Sequence, residues 1–291
     1  MNITRQSPAR SAPLPQQHQL PASHSVPGAL AAFFTLAYLL SWSWVVPLAA
    51  AHQVVDRGSA WPTHYPALFG PAIAAFAVTA WTAGRSGVRD LLLRMVRWHV
   101  GLRWWLVAVS PALFLGLGLI ALVLAGKPLP HEADFGSFSG LPSAGLVTVA
   151  LLIILGALGE ETGWRGYALP QLQRRFSPLT STVILAVLWF AWHLPQFLVI
   201  ATYRDFAPVQ YVGMLLGLTC GAVVLTWLYN KSGGSILLVA IWHGLYNVVS
   251  ATQAATGLLA AVVTTLIMIQ GVSLILHEVR ARRRGRPSVL S

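Results

Sequence analysis

Most of this chain is divided into apolar segments of about 20 residues, the length that an α-helix needs to cross the hydrocarbon core of a bilayer. Only 9% of the residues are charged and 56% are hydrophobic, whereas soluble domains carry about 25% charged residues. The sequence therefore predicts an all-α, polytopic membrane helix bundle. We place about eight transmembrane helices at 29–51, 65–83, 104–125, 144–164, 179–200, 209–230, 235–253 and 257–277.

The segments outside this bundle have a different composition. Residues 1–28 are rich in Pro, Gln, Ser and His and are predicted to form a disordered N-terminal tail. The first apolar run is longer than the core of a signal peptide, and no small-residue cleavage site follows it. We therefore predict three parts: the tail, a transmembrane domain over 29–278 and a basic C-terminal tail over 279–291.

Basic residues are distributed unevenly between the two sides of the predicted bundle. With both termini on one side, that side collects 16 Lys and Arg residues, and the other holds only 3, namely Arg57, Lys127 and Arg204. The positive-inside rule then predicts that the termini are cytoplasmic, in a multi-pass protein of the cell membrane. Five arginines within 85–103 surround apolar residues, which predicts a basic amphipathic interfacial helix that binds anionic lipids. The net charge of +11 is scattered between apolar runs, so we expect no nucleic-acid partner.

Two adjacent glutamates, Glu160 and Glu161, follow directly after the apolar run that ends at Leu158. Ionisable groups at bilayer depth cost roughly 2.5–3.5 kcal/mol each, so they call for a functional explanation. On a helix, Glu161 and Arg165 are i, i+4 neighbours and can form an ion pair. Glu160 points about 100° away from Glu161 and has no local partner. We therefore expect Glu160 to carry chemistry and Glu161 with Arg165 to support it.

Three more polar residues interrupt the later spans. His193 lies two residues before Pro195, which should bend the fifth helix there. His243 and Asn247 are four residues apart and share one face of the seventh helix. A lone His or Asn in a membrane helix is often a contact between helices that contributes about 0.6–2 kcal/mol. As a set on separate spans, these residues instead predict an inward-facing polar site shared with Glu160.

This inventory suits a hydrolase. A carboxylate beside a neutral imidazole can take a proton from water, while a second imidazole and an amide can stabilise an oxyanion. The sequence contains no G-x-S-x-G or H-E-x-x-H motif. Two alternatives stay open, a non-catalytic immunity or scaffold protein that binds a peptide in the same cavity, and a transporter. The sequence shows no internal repeats of the kind that many transporters have.

The polar residues resemble the three motifs of the CPBP family, which includes CAAX prenyl endopeptidases of the Ras-converting-enzyme type and bacteriocin-immunity proteins. These motifs are Glu160-Glu161-x-x-Trp164-Arg165-Gly166, then His193, then His243-x-x-x-Asn247. The resemblance covers about residues 145–250, the expected catalytic core. One departure is that Trp189 stands where the family usually has Phe, four residues before the histidine.

The resemblance implies an intramembrane endopeptidase that acts on a peptide or membrane-protein substrate. By position, Glu160 and His193 would activate water, His243 and Asn247 would hold the oxyanion, and Glu161 and Arg165 would be supporting residues. Glu160, His193 and His243 could also be the three protein ligands of a catalytic zinc. They can equally activate water without a metal, and we favour that interpretation.

Two expectations concern geometry. With the predicted helix ends, Glu160, His243 and His193 would lie at unequal depths of about 7, 13 and 21 Å. A later start of the fifth helix, a tilt or the Pro195 bend would have to bring them together. The four-residue spacing of Gly213, Gly217 and Gly221 predicts a close-packing face on the sixth helix.

Overall fold

The computed structural model describes residues 28–59 and 61–291, and α-helices dominate this part of the chain. The predicted disordered tail therefore lies outside the described residues, except for Gly28. The α-helices are α1 Ala29–Ala50, α2 Gly70–Met95, α3 Leu102–Ala108, α4 Ser110–Leu124, α5 Glu132–Phe135, α6 Leu146–Gly163, α7 Leu169–Gln173, α8 Pro178–Trp192, α9 Ala201–Arg204, α10 Pro208–Lys231, α11 Ile236–Ala251 and α12 Gly257–Arg283. Two 3₁₀ turns, Tyr65–Phe69 and Leu194–Leu198, and a π-helical turn, Trp164–Ala168, connect them.

The structure confirms a polytopic bundle of membrane-length helices. In the described part of the chain, six helical segments are long and apolar enough to cross a bilayer. Helices α3 and α4, bent by 51° relative to each other, form a seventh span if they are counted together. The remaining predicted span corresponds to α11, an apolar helix of only 16 residues. Each of the eight predicted segments is thus helical, although α11 is shorter than a full crossing requires.

The contacts between loops divide them into two groups at opposite ends of the bundle. At one end, which we call the Val55 end, the backbone N–H of Val55 donates to Val199 O at 2.8 Å. Gln253 N donates to Ser137 O at 3.0 Å at the same end. At the other end, the Arg94 end, Ser235 Oγ donates to Arg97 O at 2.7 Å. This grouping matches the alternation that eight consecutive crossings require.

The basic amphipathic segment is part of α2. The helical segment from Gly70 to Met95 is interrupted at Gly84, whose φ of 60° and ψ of −155° lie outside the helical region. Glycine adopts this positive φ without the steric cost that a Cβ imposes. The prediction of a separate helix over 85–103 is therefore wrong in its boundaries. The basic residues up to Arg94 belong to α2, and Arg103 belongs to α3.

The fourth span is longer than the sequence suggested, and this extension brings the expected depths of Glu160 and His193 together. Helix α6 does not end at residue 164, because a π-helical turn and α7 continue it, so that the whole segment is Leu146–Gln173, 28 residues. The nine added residues place Glu160 about 13 Å deeper than expected. Glu160 then lies about 20 Å from Gln173, and His193 lies about 22 Å from Pro178, at the start of α8.

Close packing of α6 depends on glycines that the sequence analysis did not single out. A Cβ at Gly163 would lie 2.7 Å from the backbone carbonyl of Pro71, and a Cβ at Gly159 would lie 2.9 Å from Leu68 O. These glycines let the start of α2 approach the α6 backbone. The predicted close-packing face on α10 is wrong, since a Cβ at Gly213 or Gly217 would meet nothing within 4 Å among the described residues.

Candidate active site

The two glutamates lie in the most deeply buried part of α6. Glu160 is 5% exposed, and Glu161 and Arg165 are fully buried. Charged groups in such surroundings need partners, because desolvation costs several kcal/mol for each ion. The rest of the site supplies these partners from α8 and α11.

Glu161 forms the predicted ion pair and a second contact that joins two helices. Its Oε1 atom accepts from Arg165 Nη1 at 2.9 Å and lies 2.9 Å from His243 Nδ1 on α11. A carboxylate oxygen only accepts, so Nδ1 of His243 carries a proton. The supporting role expected for Glu161 thus includes holding the ring of His243.

Glu160 obtains its partner from α8. Nε1 of Trp189 donates to Glu160 Oε2 at 2.8 Å, across 29 residues of sequence. This agrees with the expectation that Glu160 has no partner within its own helix. The other oxygen, Oε1, has no hydrogen-bond partner among the described residues.

His193 is the C-cap residue of α8 and directly follows Trp192, the last residue of that helix. Its Nδ1 lies 2.8 Å from the carbonyl oxygen of Trp189. Because a carbonyl only accepts, Nδ1 carries the proton, and Nε2 of the neutral ring is an acceptor. The expected bend at Pro195 is a complete change of helix type, since a 3₁₀ turn begins at Leu194. Pro195 cannot donate a backbone hydrogen bond, which explains why α8 stops there.

Asn247 lies one turn beyond His243 on α11 and is half-buried. No hydrogen bond joins it to the other site residues in the described part of the chain. The close approach of α11 to α6 occurs at Gly244, where a Cβ would lie 2.8 Å from the Cα of Ile154. Glycine at this position allows His243 to reach Glu161. The structure thus connects Glu160, Glu161, Arg165, His193 and His243 through direct contacts or through Trp189, and it leaves Asn247 at the edge.

The three residues considered as zinc ligands do not form a ligand set. No group of three or more His, Cys, Asp or Glu side chains among the described residues is arranged to hold a metal ion. The indole of Trp189 lies against both histidines, with ring centroids 6.0 Å from His193 and 5.3 Å from His243. As placed, these three residues therefore do not fit a shared metal ion.

Two residues that contribute to the site were missed in the sequence. Trp189 was noted only as a departure from a family pattern, yet it contacts most of the polar residues. Arg94, assigned to a lipid-facing helix, is 8% exposed and donates from Nη1 to Gly166 O in the π-helical turn at 2.8 Å. Its i, i+4 spacing from Asp90, to which it binds at 2.8 Å, was the available signal that this arginine has a structural partner.

Comparisons with known proteins match the part of the chain that contains these residues. Residues 142–249, which contain the site residues of α6, α8 and α11, match the family model of the type II CAAX prenyl endopeptidase Rce1-like proteins. The chain is 27% identical over 221 residues to CAAX prenyl protease 2 of the archaeon Methanococcus maripaludis. The aligned region covers 73% of this chain and 80% of that relative. Over the region that contains these residues, the chain is therefore similar to CAAX prenyl endopeptidases of the Rce1-like type.

Proposed function

We propose that this protein is an intramembrane endopeptidase that uses water activated by Glu160 and His193. The observation that carries the proposal is the state of Glu160, a buried carboxylate with one oxygen held by Trp189 and the other without a partner in the described part of the chain. The neighbouring Glu161 also has one oxygen without a partner, Oε2, but its Oε1 binds both Arg165 and His243, whereas Glu160 forms no ion pair in the described part of the chain. A carboxylate with one free oxygen can bind a water molecule and take its proton.

The hydrogen bonds assign different roles to the two histidines. His193 donates from Nδ1 to a backbone carbonyl, so its Nε2 lone pair can accept a hydrogen bond from the same water. His243 donates from Nδ1 to the Glu161 carboxylate. In the imidazolium form both ring nitrogens donate, so Nε2 is then a second donor. His243 is thus suited to stabilise an oxyanion, with the amide of Asn247 as a second donor.

The reaction proposed is hydrolysis of a peptide bond. The water oxygen attacks the carbonyl carbon while its proton passes to Glu160, and negative charge develops on the former carbonyl oxygen near His243. When the C–N bond breaks, Glu160 returns the proton to the leaving amine. Arg165 and Glu161 stay paired and keep the charge of the site balanced.

The substrate we propose is a peptide or membrane protein. The curated relative is named a CAAX prenyl protease, which makes C-terminal CAAX sequences the first candidates to assay, with and without a prenyl group. We further propose that the Arg94 end faces the cytoplasm in the cell membrane. There, Arg85 and Arg89 line a shallow cavity of about 390 Å³ together with Leu92, a combination suited to an anionic lipid.

The experiment that tests the enzyme compares new protein termini in membranes of cells that express the wild type or Glu160→Ala at equal levels. Glu132→Ala is the matched control, because Glu132 is an exposed glutamate outside the site. We expect a set of cleavage sites that is present in the wild type and the control and absent in Glu160→Ala. Identical profiles for all three proteins in the native host would contradict the protease and favour the peptide-binding alternative.

A further inference from the structure

Trp189 touches four of the polar site residues with four different parts of its structure. Its indole N–H donates to Glu160 Oε2 at 2.8 Å, and its backbone carbonyl accepts from His193 Nδ1 at 2.8 Å. The guanidinium carbon of Arg165 lies 4.6 Å from the ring centroid. The ring also meets His243 in an edge-to-face contact with an interplanar angle of 80°.

The contact with Glu160 determines which oxygen is available for water. A hydrogen bond fixes Oε2 in the direction of the indole, so the planar carboxylate presents Oε1 to the rest of the site. Hydrogen bonds to an ionised acceptor are shorter and roughly twice as strong as neutral ones. Among the described residues Glu160 has no other hydrogen-bond donor, so its orientation depends on Trp189.

The indole ring of Trp189 is contacted by Arg165 and, edge to face, by His243. Arg165 lies over one region of the ring in a cation–π contact, and the same guanidinium is tied to Glu161 at 2.9 Å. Trp189 is 6% exposed, so the ring has little freedom to rotate. The ion pair between Glu161 and Arg165 therefore affects Glu160 indirectly, because Arg165 restrains the Trp189 ring and the Trp189 ring binds Glu160.

The position of Trp189 near the C-terminal end of α8 explains its contact with His193. Trp189 and His193 are four residues apart at the end of α8, where the backbone carbonyls of a helix lack N–H partners. The carbonyl of Trp189 finds its donor in the imidazole of His193. One residue thus fixes the orientation of both groups proposed to bind the attacking water.

We propose that Trp189 is a positioning residue that orients the Glu160 carboxylate through its indole N–H, with Arg165 as its support. The catalytic consequence rests on the proposed function, whereas the hydrogen bond itself does not. Replacing Trp189 with Phe keeps an aromatic ring and the backbone carbonyl, and removes only the N–H donor and part of the ring.

Trp192 provides a matched control. It lies on the same helix, is fully buried, and its ring also contacts the His193 ring, at 4.9 Å. Its Nε1 atom, however, has no hydrogen-bond partner among the described residues. Trp192→Phe therefore makes the same change in ring size without removing a hydrogen bond.

The first test needs no activity. In protein labelled with ¹⁵N at the indole nitrogens, the signals of the two residues are assigned by their loss in Trp189→Phe and Trp192→Phe. We expect Glu160→Ala to shift the Trp189 indole proton to higher field and to leave the Trp192 signal in place. Glu160→Gln, which keeps the side-chain volume, should give a smaller shift in the same direction. An unmoved Trp189 signal in both variants would overturn the proposal.

The second test is kinetic and uses a substrate identified by the comparison of termini. We expect Trp189→Phe to lower kcat about 10- to 100-fold, as befits one lost hydrogen bond to a charged group, with KM changed less than about twofold. Trp192→Phe should stay within about threefold of the wild type in both constants. Equal effects of the two substitutions on kcat would refute positioning by the N–H. If Glu160→Ala instead cleaves normally, the proposed function fails while the spectroscopic result stands.

Discussion

The Glu161 carboxylate lies 2.9 Å from Nδ1 of His243, although the two residues are 82 positions apart in the sequence. The oxygen atom in this contact, Oε1, also accepts a hydrogen bond from the guanidinium of Arg165. One carboxylate on α6 therefore joins α6 to α11 and compensates a fully buried positive charge.

Removing Glu161 should destabilise the protein strongly. Glu161→Ala leaves Arg165 buried without its counter-ion, and breaking a buried pair in this way costs about 3–5 kcal/mol. We expect a clearly lower thermal unfolding midpoint in detergent, with Glu132→Ala unchanged. The double variant Glu161→Ala, Arg165→Met should recover part of the loss, because it removes both charges. A double variant that is less stable than Glu161→Ala would contradict this account of the pair.

Gly244 should be intolerant of a side chain. A Cβ there would lie 2.8 Å from the Cα of Ile154, so Gly244→Ala must push α11 away from α6 and lengthen the contact between His243 and Glu161. Overpacking of this kind typically costs about 1–3 kcal/mol. The matched control is Gly213→Ala, whose Cβ meets no described atom within 4 Å and should be neutral or slightly stabilising. Comparable midpoints for the two variants would show that the helices separate without cost.

Arg94 should contribute more to the stability of the folded protein than the neighbouring arginines of α2. Its Nη1 donates to Gly166 O at 2.8 Å and to Tyr229 Oη at 2.7 Å. Arg94→Met leaves that buried carbonyl without this donor, at a cost of about 1–3 kcal/mol. Arg89→Met, at an exposed position, is the control and should leave the unfolding midpoint within experimental error. An unchanged unfolding midpoint in both variants would mean that the π-helical turn is stable without the hydrogen bond from Arg94.

His64 should make stability depend on pH. Burial first, and the nearby His193 second, lower the pKa of His64 from 6.5 to about 4. Between these values the unfolded chain binds more protons than the folded one, so the free energy of unfolding falls as the pH decreases. The loss at pH 5 relative to pH 7 is about 2 kcal/mol.

Thermal unfolding of the wild type and of His64→Gln at pH 5 and pH 7 measures this dependence. We expect the wild type to lose more stability than His64→Gln on acidification, and the exposed-site variant His99→Gln to behave as the wild type. Parallel losses in all three proteins would assign the pH dependence to other groups.

The orientation in the membrane can be tested with single cysteines. Cys220, the only cysteine in the sequence, is buried and can be replaced by Ala to give a background without thiols. Lys127→Cys and Arg284→Cys then place exposed thiols at the Val55 end and the Arg94 end. With the Arg94 end cytoplasmic, an impermeant maleimide should label the first thiol in intact cells and the second only after lysis. The reverse labelling pattern would show that the Val55 end faces the cytoplasm.

The helical bundle and the polar residues of the site could be predicted from the sequence alone. Apolar runs of membrane length can only be spans, and ionisable residues within them are costly enough to stand out. The Glu161–Arg165 pair was predictable because both residues lie on one helix, where a spacing of four fixes their proximity.

How these residues act together depends on contacts between helices that are far apart in the sequence. The fourth span continues past residue 164, its predicted end, to Gln173, and Arg165 lies within it because it pairs with Glu161. Close packing at Gly159, Gly163 and Gly244, instead of at Gly213 and Gly217, depends on which helices are neighbours. Trp189 reads as one more tryptophan in the sequence. It becomes the centre of the site because α6, α8 and α11 direct their polar groups to its edge and face, and contacts between distant segments leave no local pattern.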